Sequence, residues 1–435
     1  MEQFSKMPTY LGTADQVSTV MKEGKMFADT ASGLKEVVSV NAAELARLPY
    51  DVAEGIYVVG SGSTGAAASL GVCGALYGVV MLASAMTIKT PAPGYKVLGL
   101  PTNTGKDEAS KAAVPQKNVT PSMAMKTPQL YALATTFFCV ACGGMGLFSV
   151  AKPMMGEVFS STLPTLVTAG FASLYVQMLA AGNLGGRIGW AAFSDKFGRR
   201  ITFNMFCLGS IPLYLAVPYT VQQVVGTGVS AWIGLSVPLG MFIGSTLVAI
   251  TFMGGVYAIL PAYEADLFGP KYVGPIHGRV LLASAAAALT GPSILLNLRS
   301  KSEVAAIHDL VSKVDPTRFR DMFNSGVESA QLLIDSKALT IGKLMEIAPA
   351  GTVDPTPFIY DSTMYTMAGL MGVAAIAHST VKPVDPKYFE KVDPIEVDSV
   401  LHTPVAPGLS AFGKGGMPTS MYSHMIPASA LPRQQ

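Results

Sequence analysis

Apolar runs long enough to cross a lipid bilayer dominate this chain and restrict what it can fold into. A helix needs about 20 residues to cross roughly 30 Å of hydrocarbon. Seven stretches reach that length: 56–88, 130–150, 164–186, 201–219, 231–260, 280–298 and 358–377. Inside lipid every backbone polar group must bond within its own segment, so runs of this kind become helices. Composition agrees, with 50% hydrophobic and 13% charged residues, where soluble domains average about 25% charged. The expected fold is an all-α integral membrane protein of about seven transmembrane helices. The run 231–260 is long enough to tilt or project past the bilayer. The run 358–377 is the weakest, because Asp361 sits near its start.

The connecting segments alternate in charge. Six lysines stand against Asp107 and Glu108 in 89–126, and Lys271 and Arg279 lie in 261–279. The segments 151–163 and 220–230 hold only Lys152 and Glu157. Positive charge collects on the inner side of membranes, which places 187–200, 261–279 and the C-terminal tail inside and the N-terminus outside. A net charge of +2 gives no electrostatic case for nucleic acid.

Three polar regions flank or interrupt the spans. Residues 1–55 form a polar N-terminal extension without an apolar signal core, and a helix is expected across 13–38. Six spans occupy 56–298. Residues 299–357 read as an amphipathic helical insertion, with apolar positions near a period of 3.6. The last span covers 358–378, and 379–435 is an extended tail rich in Pro, Ser, Gly and Met.

Five charges crowd into "GGRIGWAAFSDKFGRR" (185–200): Arg187, Asp195, Lys196, Arg199 and Arg200. Asp195 suits the N-terminus of a neighbouring helix, Gly198 permits a left-handed turn, and the arginines suit the inner interface. This stretch resembles the signature loop of the major facilitator superfamily, with Ala191 where the pattern has its leading glycine. "KTPAPGYKVLG" (89–99), "KTPQLYALATTFF…SVAKPMMGEV" (126–158), "NLGGRIGWAAFSDKFGRR" (183–200) and "LPAYEADLFGPKYVGPIHGR" (260–279) resemble, in order, parts of its oxalate/formate antiporter family. The resemblance runs from about residue 60 to 300 and implies helices six to twelve of a twelve-helix carrier. It also implies roles. Family members that carry dicarboxylates place one cation on helix eight and a lysine on helix eleven; these positions fall at Arg187 and Ser284. Asn183 joins them as a substrate-binding candidate. Ala191, Asp195, Lys196, Gly198, Arg199 and Arg200 form the structural loop.

Such carriers work by rocking two six-helix halves around a central site, and this resemblance covers one half. The expected function is a non-transporting accessory subunit of a large membrane complex, such as a mitochondrial respiratory complex or ATP synthase, derived from a facilitator-type transporter. The alternative is an oxalate-, formate- or monocarboxylate-type anion carrier acting as a dimer or with a separate N-terminal half. Other subunits and lipids are the expected partners, with bound phospholipid. The mitochondrial inner membrane is the expected location. A face lined by Ser61, Ser63, Gln177 and Asn183 is expected to be covered, because polar groups are costly toward lipid. No enzymatic set appears. The five histidines lack metal-ligand spacing, Cys139-x-x-Cys142 reads as small residues of a helix, and "GSGSTG" (60–65) lacks the lysine of a phosphate loop. No cofactor or metal is expected.

Overall fold

A computed structural model describes residues 6–13, 16–22, 25–30, 33–40, 53–63, 65–89, 118–227, 231–232 and 235–390. Most of the lysine-rich segment (90–117) and most of the tail (391–435) lie outside the described residues.

The N-terminal extension is a sheet, not a helix. Its strands are β1 (Tyr10–Gly12), β2 (Thr19–Lys22), β3 (Lys25–Thr30), β4 (Gly33–Val40) and β5 (Gly55–Val58), in the antiparallel order β1-β5-β4-β3-β2. Lys22 pairs with Lys25 and Thr30 with Gly33, so β2–β3 and β3–β4 are tight hairpins that a helix through 13–38 would have to undo. Side chains two residues apart along a strand share a face, and Ala28, Val37, Ile56 and Val58 meet in a small core. The sheet takes β5 out of the first apolar run, so the first membrane helix, α1, begins later, at Ala66, and ends at Thr87. Ser61 and Ser63 belong to this region, not to a membrane face. The Ser61 hydroxyl accepts from the Thr9 amide (2.8 Å) and donates to the Val58 carbonyl (2.7 Å), and Ser63 pairs with Lys6 through the backbone.

The remainder is helical: α2 (Pro121–Ala124), α3 (Pro128–Phe159), α4 (Ala169–Phe197), α5 (Arg199–Thr227), α6 (Val237–Phe268), α7 (Val273–Lys313), α8 (Pro316–Phe323), α9 (Ala330–Asp335), α10 (Ile341–Ile347) and α11 (Asp361–Ser379). Among the described residues five helical stretches are long and apolar enough to cross a membrane: α1, α3, 199–225 of α5, α6, and Pro270–Lys313, which contains α7. The chain is therefore a multi-pass membrane protein. α4 and α11 stand where two further spans are expected but carry more polar side chains, α4 through Arg187, Asp195 and Lys196 and α11 through Asp361.

Several boundaries move. Helices α3 and α5 run through most of 151–163 and 220–230, and the run 231–260 opens with a short hairpin, β6 (Ala231–Trp232) and β7 (Leu235–Ser236), before α6. The run 280–298 is the middle of the 41-residue α7. The first part of the 299–357 insertion is thus not a separate helix but the continuation of a span. The rest forms α8, α9 and α10, whose Phe319, Leu333 and Leu344 are buried in the main core.

Glycines let these helices meet backbone to backbone, as small residues do in membranes. Gly254 of α6 lies against the Asn183 carbonyl of α4, Gly186 of α4 against the Thr251 carbonyl of α6, and Gly291 of α7 against the Cys142 carbonyl of α3.

The helix ends gather in two clusters, named inner and outer after the sidedness expected from the charge pattern. At the inner end the Val119 amide donates to the Phe268 carbonyl (2.8 Å), the Glu390 amide to the Asn118 carbonyl (2.8 Å), and Lys271 bridges to the Glu390 carboxylate (3.0 Å). That lysine holds the Glu390 carboxyl below its ordinary range. At the outer end Arg299 of α7 grips Glu157 of α3 through two nitrogens (2.6 and 3.0 Å), while the Tyr360 hydroxyl donates to Glu157 (2.6 Å). Glu303 takes a third arginine nitrogen (2.7 Å). The Glu157 side chain is 6% exposed, so removing its cation leaves a buried charge unpaired. Arg299→Ala should cost about 3–5 kcal/mol, read as a lowered Tm in detergent or nanodiscs. Tyr360→Phe should cost less, about 1.5–3 kcal/mol, because the salt bridge survives it.

Candidate functional site

The glycine contacts bring α4 and α6 so close that their side chains share one surface. Arg187 of α4 stacks its guanidinium over the Tyr257 ring of α6, 5.7 Å from the centroid, a favourable approach of a cation to an aromatic face. Phe137 of α3 supports the same ring edge-on at 4.9 Å. The Tyr257 hydroxyl hydrogen-bonds the Ser284 hydroxyl of α7 at 2.6 Å. Two of the three residues singled out from the sequence, Arg187 and Ser284, thus meet through a third that sequence reasoning missed, Tyr257.

Asn183 lies one turn from Arg187 on the same face of α4. Its carbonyl is pressed against Gly254, and its side-chain nitrogen is buried without a hydrogen-bond partner. Buried donors are nearly always satisfied, so this one, on a residue one turn from Arg187, is a polar group that the described residues leave unpaired. Together Asn183, Arg187, Tyr257 and Ser284 offer an amide donor, a cation and two hydroxyls. This set matches a carboxylate.

Depth corrects one expectation. The apolar run 164–186 places Arg187 at an inner helix end, where its side chain reaches headgroups. Helix α4 continues ten residues further, to Phe197. At 1.5 Å per residue that is about 15 Å, half the hydrocarbon thickness. Tyr257 stands eleven residues before the end of α6, and Ser284 eleven residues after the start of α7. All three therefore share one level, ten or eleven residues from the same end of their helices. Around them the surface is open and apolar: Leu184 is 63% exposed, Ile188 70%, Leu282 70% and Leu289 75%. Gln177 is exposed further along α4.

The signature loop sits elsewhere and does something else. The break between α4 and α5 is the single residue Gly198, at φ +91°, a backbone conformation in which a side chain is strained. Arg199 pairs with Asp195 (2.6 Å) and reaches Asp266 at the end of α6 (3.7 Å), and it also donates to the Ser194 hydroxyl. One guanidinium therefore joins three helix ends. Lys196 lies over the Phe197 ring (5.6 Å), and Ala191 packs partly buried against the main core. None of these residues joins the Arg187 cluster.

A second pair crosses between α6 and α7 nearer the inner end. Glu264 is fully buried and meets His277 Nδ1 at 2.9 Å. Both pairs were open to a sequence signal: in an antiparallel pair of helices, partners lie equally far from the turn. Tyr257 and Ser284, like Glu264 and His277, are symmetric about the turn that contains Pro270–Tyr272.

No protein-family model matches the chain. It is similar to the oxalate:formate antiporter of Oxalobacter formigenes, at 26% identity over 219 residues, 50% of this chain and 44% of that protein. The chain thus spans less than half the length of the curated relative it matches.

The site makes a local energetic forecast. Tyr257→Phe and Ser284→Ala each remove one hydrogen bond and should each cost about 0.5–1.5 kcal/mol. The double variant should cost less than the two added together, because both break the same bond. Thermal unfolding of the four proteins measures that coupling. Strict additivity would mean the bond contributes nothing.

Proposed function

We propose that the chain is the C-terminal half of a facilitator-type carrier for small carboxylate anions, completed by a second set of helices. One observation carries this reading: a guanidinium ten residues inside the end of α4 on an open apolar face, one turn from a residue with an unsatisfied amide donor. Facing lipid at that depth an arginine costs about 2.5–3.5 kcal/mol or more, so the face is covered in the working protein. Rocking carriers cover it with their other half. A second copy of this chain or a separate N-terminal half would serve here.

The similarity to an oxalate:formate antiporter supports small carboxylates as the substrate class. In this reading Arg187 takes the negative charge, Asn183 donates to one oxygen, and Tyr257 and Ser284 orient the other. Charge-assisted hydrogen bonds of this kind are the strong ones. With Ser284 where related dicarboxylate carriers have a lysine, one cation remains, and one cation favours a monocarboxylate such as formate.

A second reading is an accessory subunit in a larger assembly. The sheet and α8–α10 favour it, since a substrate path uses neither.

Purified chain in liposomes should take up labelled formate, and Arg187→Gln should reduce uptake at least tenfold, the loss expected for one charged hydrogen bond. Absent uptake by the wild type, with co-migration of unrelated subunits on a native gel, would put the accessory reading first.

A further inference from the structure

Glu264 sits on the same face of α6 as Tyr257, seven residues or about two turns away, and His277 sits on α7 seven residues before Ser284. The two cross-helix pairs are therefore stacked on one seam, about 10 Å apart along it. The lower pair has three features a structural ion pair lacks. The Glu264 side chain has no exposed surface, its second oxygen has no hydrogen-bond partner, and its one partner, the His277 imidazole, is 23% exposed at the inner side. A buried carboxylate with a bare oxygen is costly to keep charged. A neighbouring imidazole that reaches solvent is a route for the proton that neutralises it.

We propose that Glu264 and His277 form a proton-binding site, loaded from the inner side, whose occupancy is linked to that of the anion site at Arg187. The step is simple: the Glu264 carboxylate takes one proton by way of His277 and becomes the neutral acid, which donates to Nδ1. Loss of the proton leaves the carboxylate accepting from Nδ1–H, so the hydrogen bond survives in both states.

The surrounding charges are engaged elsewhere. On α6 and α5, Asp266 turns to Arg199, Tyr263 and His378 bond each other at 3.2 Å, and Arg200 is exposed. On α4, Asp195 holds Arg199 and Lys196 covers Phe197. Before α7 and along it, Lys271 holds Glu390, and Arg279 donates to the Pro275 carbonyl. Lys126, before α3, is exposed. Arg187 is thus the cation level with the upper pair. With Glu264 neutral, the seam is positive and binding a monocarboxylate makes it neutral. With Glu264 ionised, the same anion would leave it negative. Anion and proton therefore favour each other's binding, and that favour is reciprocal.

The linkage rests on the carrier reading, whereas the proton site does not, so two readouts separate them. In the full chain in lipid, infrared titration should show a carbonyl stretch of a protonated carboxyl at neutral pH that Glu264→Gln removes. If the two spectra superimpose between pH 5 and about 9, the proton site is wrong. If Glu264→Gln does not fold, His277→Gln should shift the midpoint of that band, and an unmoved midpoint overturns the proposal. In liposomes, a gradient that drives protons the same way as formate should raise uptake about tenfold, and Glu264→Gln should lose that response. Uptake indifferent to the gradient in wild type overturns the linkage. An infrared band without any uptake keeps the proton site and discards both the linkage and the carrier.

Discussion

The close approach of α4 and α6 sets the geometry on which the site depends. Gly254 and Gly186 place each backbone against a carbonyl of the other helix, a separation that any Cβ would increase. Only at that distance does the guanidinium of Arg187, on one helix, lie over the ring of Tyr257 on the other. Trp190, one turn nearer the inner end, reinforces the contact. Its ring nitrogen donates to the Thr251 hydroxyl (3.1 Å), and its ring meets Phe206 and Phe252 edge-on. The glycines supply proximity and the aromatic cluster fixes rotation, so the two helices have little freedom to slide.

A second constraint follows from the α6–α7 turn. Gly269, at φ +83°, reverses the chain before Pro270, and the antiparallel register that results pairs Tyr257 with Ser284 and Glu264 with His277. The register costs nothing extra once the turn is made. Shifting either helix by one residue would break both pairs at once, which ties the Arg187 cluster to the buried carboxylate below it.

Much of this could be read from residue order, and the failures have identifiable causes. Hydropathy located the helices correctly but not their ends, because it measures affinity for lipid and not helicity. At α7 the charges Arg299, Lys301 and Glu303 end the apolar run while the helix continues to Lys313. At α4 the same error drew the helix end at residue 186, which made Arg187 look interfacial and disguised its depth. In 13–38 a loose amphipathic pattern suggested a helix, but pairing across two tight hairpins is a long-range property that a local window does not detect. Arg187, Asn183 and Ser284 were visible as a set only through the family resemblance. Tyr257 was not, since an isolated tyrosine in an apolar run signals nothing until the helix opposite it is placed. Glu264 lies past the apolar run 231–260, so hydropathy did not mark it as buried, although α6 continues to Phe268.

The two ends of the bundle are fastened unequally, and this bears on how its helices could move. At the outer end the Glu157–Arg299–Tyr360 cluster is buried and bidentate, and breaking it would strand a charge. At the inner end Arg199 spans three helix ends through acidic partners that are 66% and 63% exposed. Exposed pairs contribute about 0–1 kcal/mol each. Water can replace the inner contacts at small cost and the outer ones only at large cost. The inner contacts join α4 and α5 to the end of α6, whereas the outer cluster joins α3 to α7 and Tyr360, so the weak and the strong fastening hold different helices. Parting α4 and α5 from the end of α6 at that inner end would break only exposed pairs, while α3 and α7 stay fastened to each other at the opposite end.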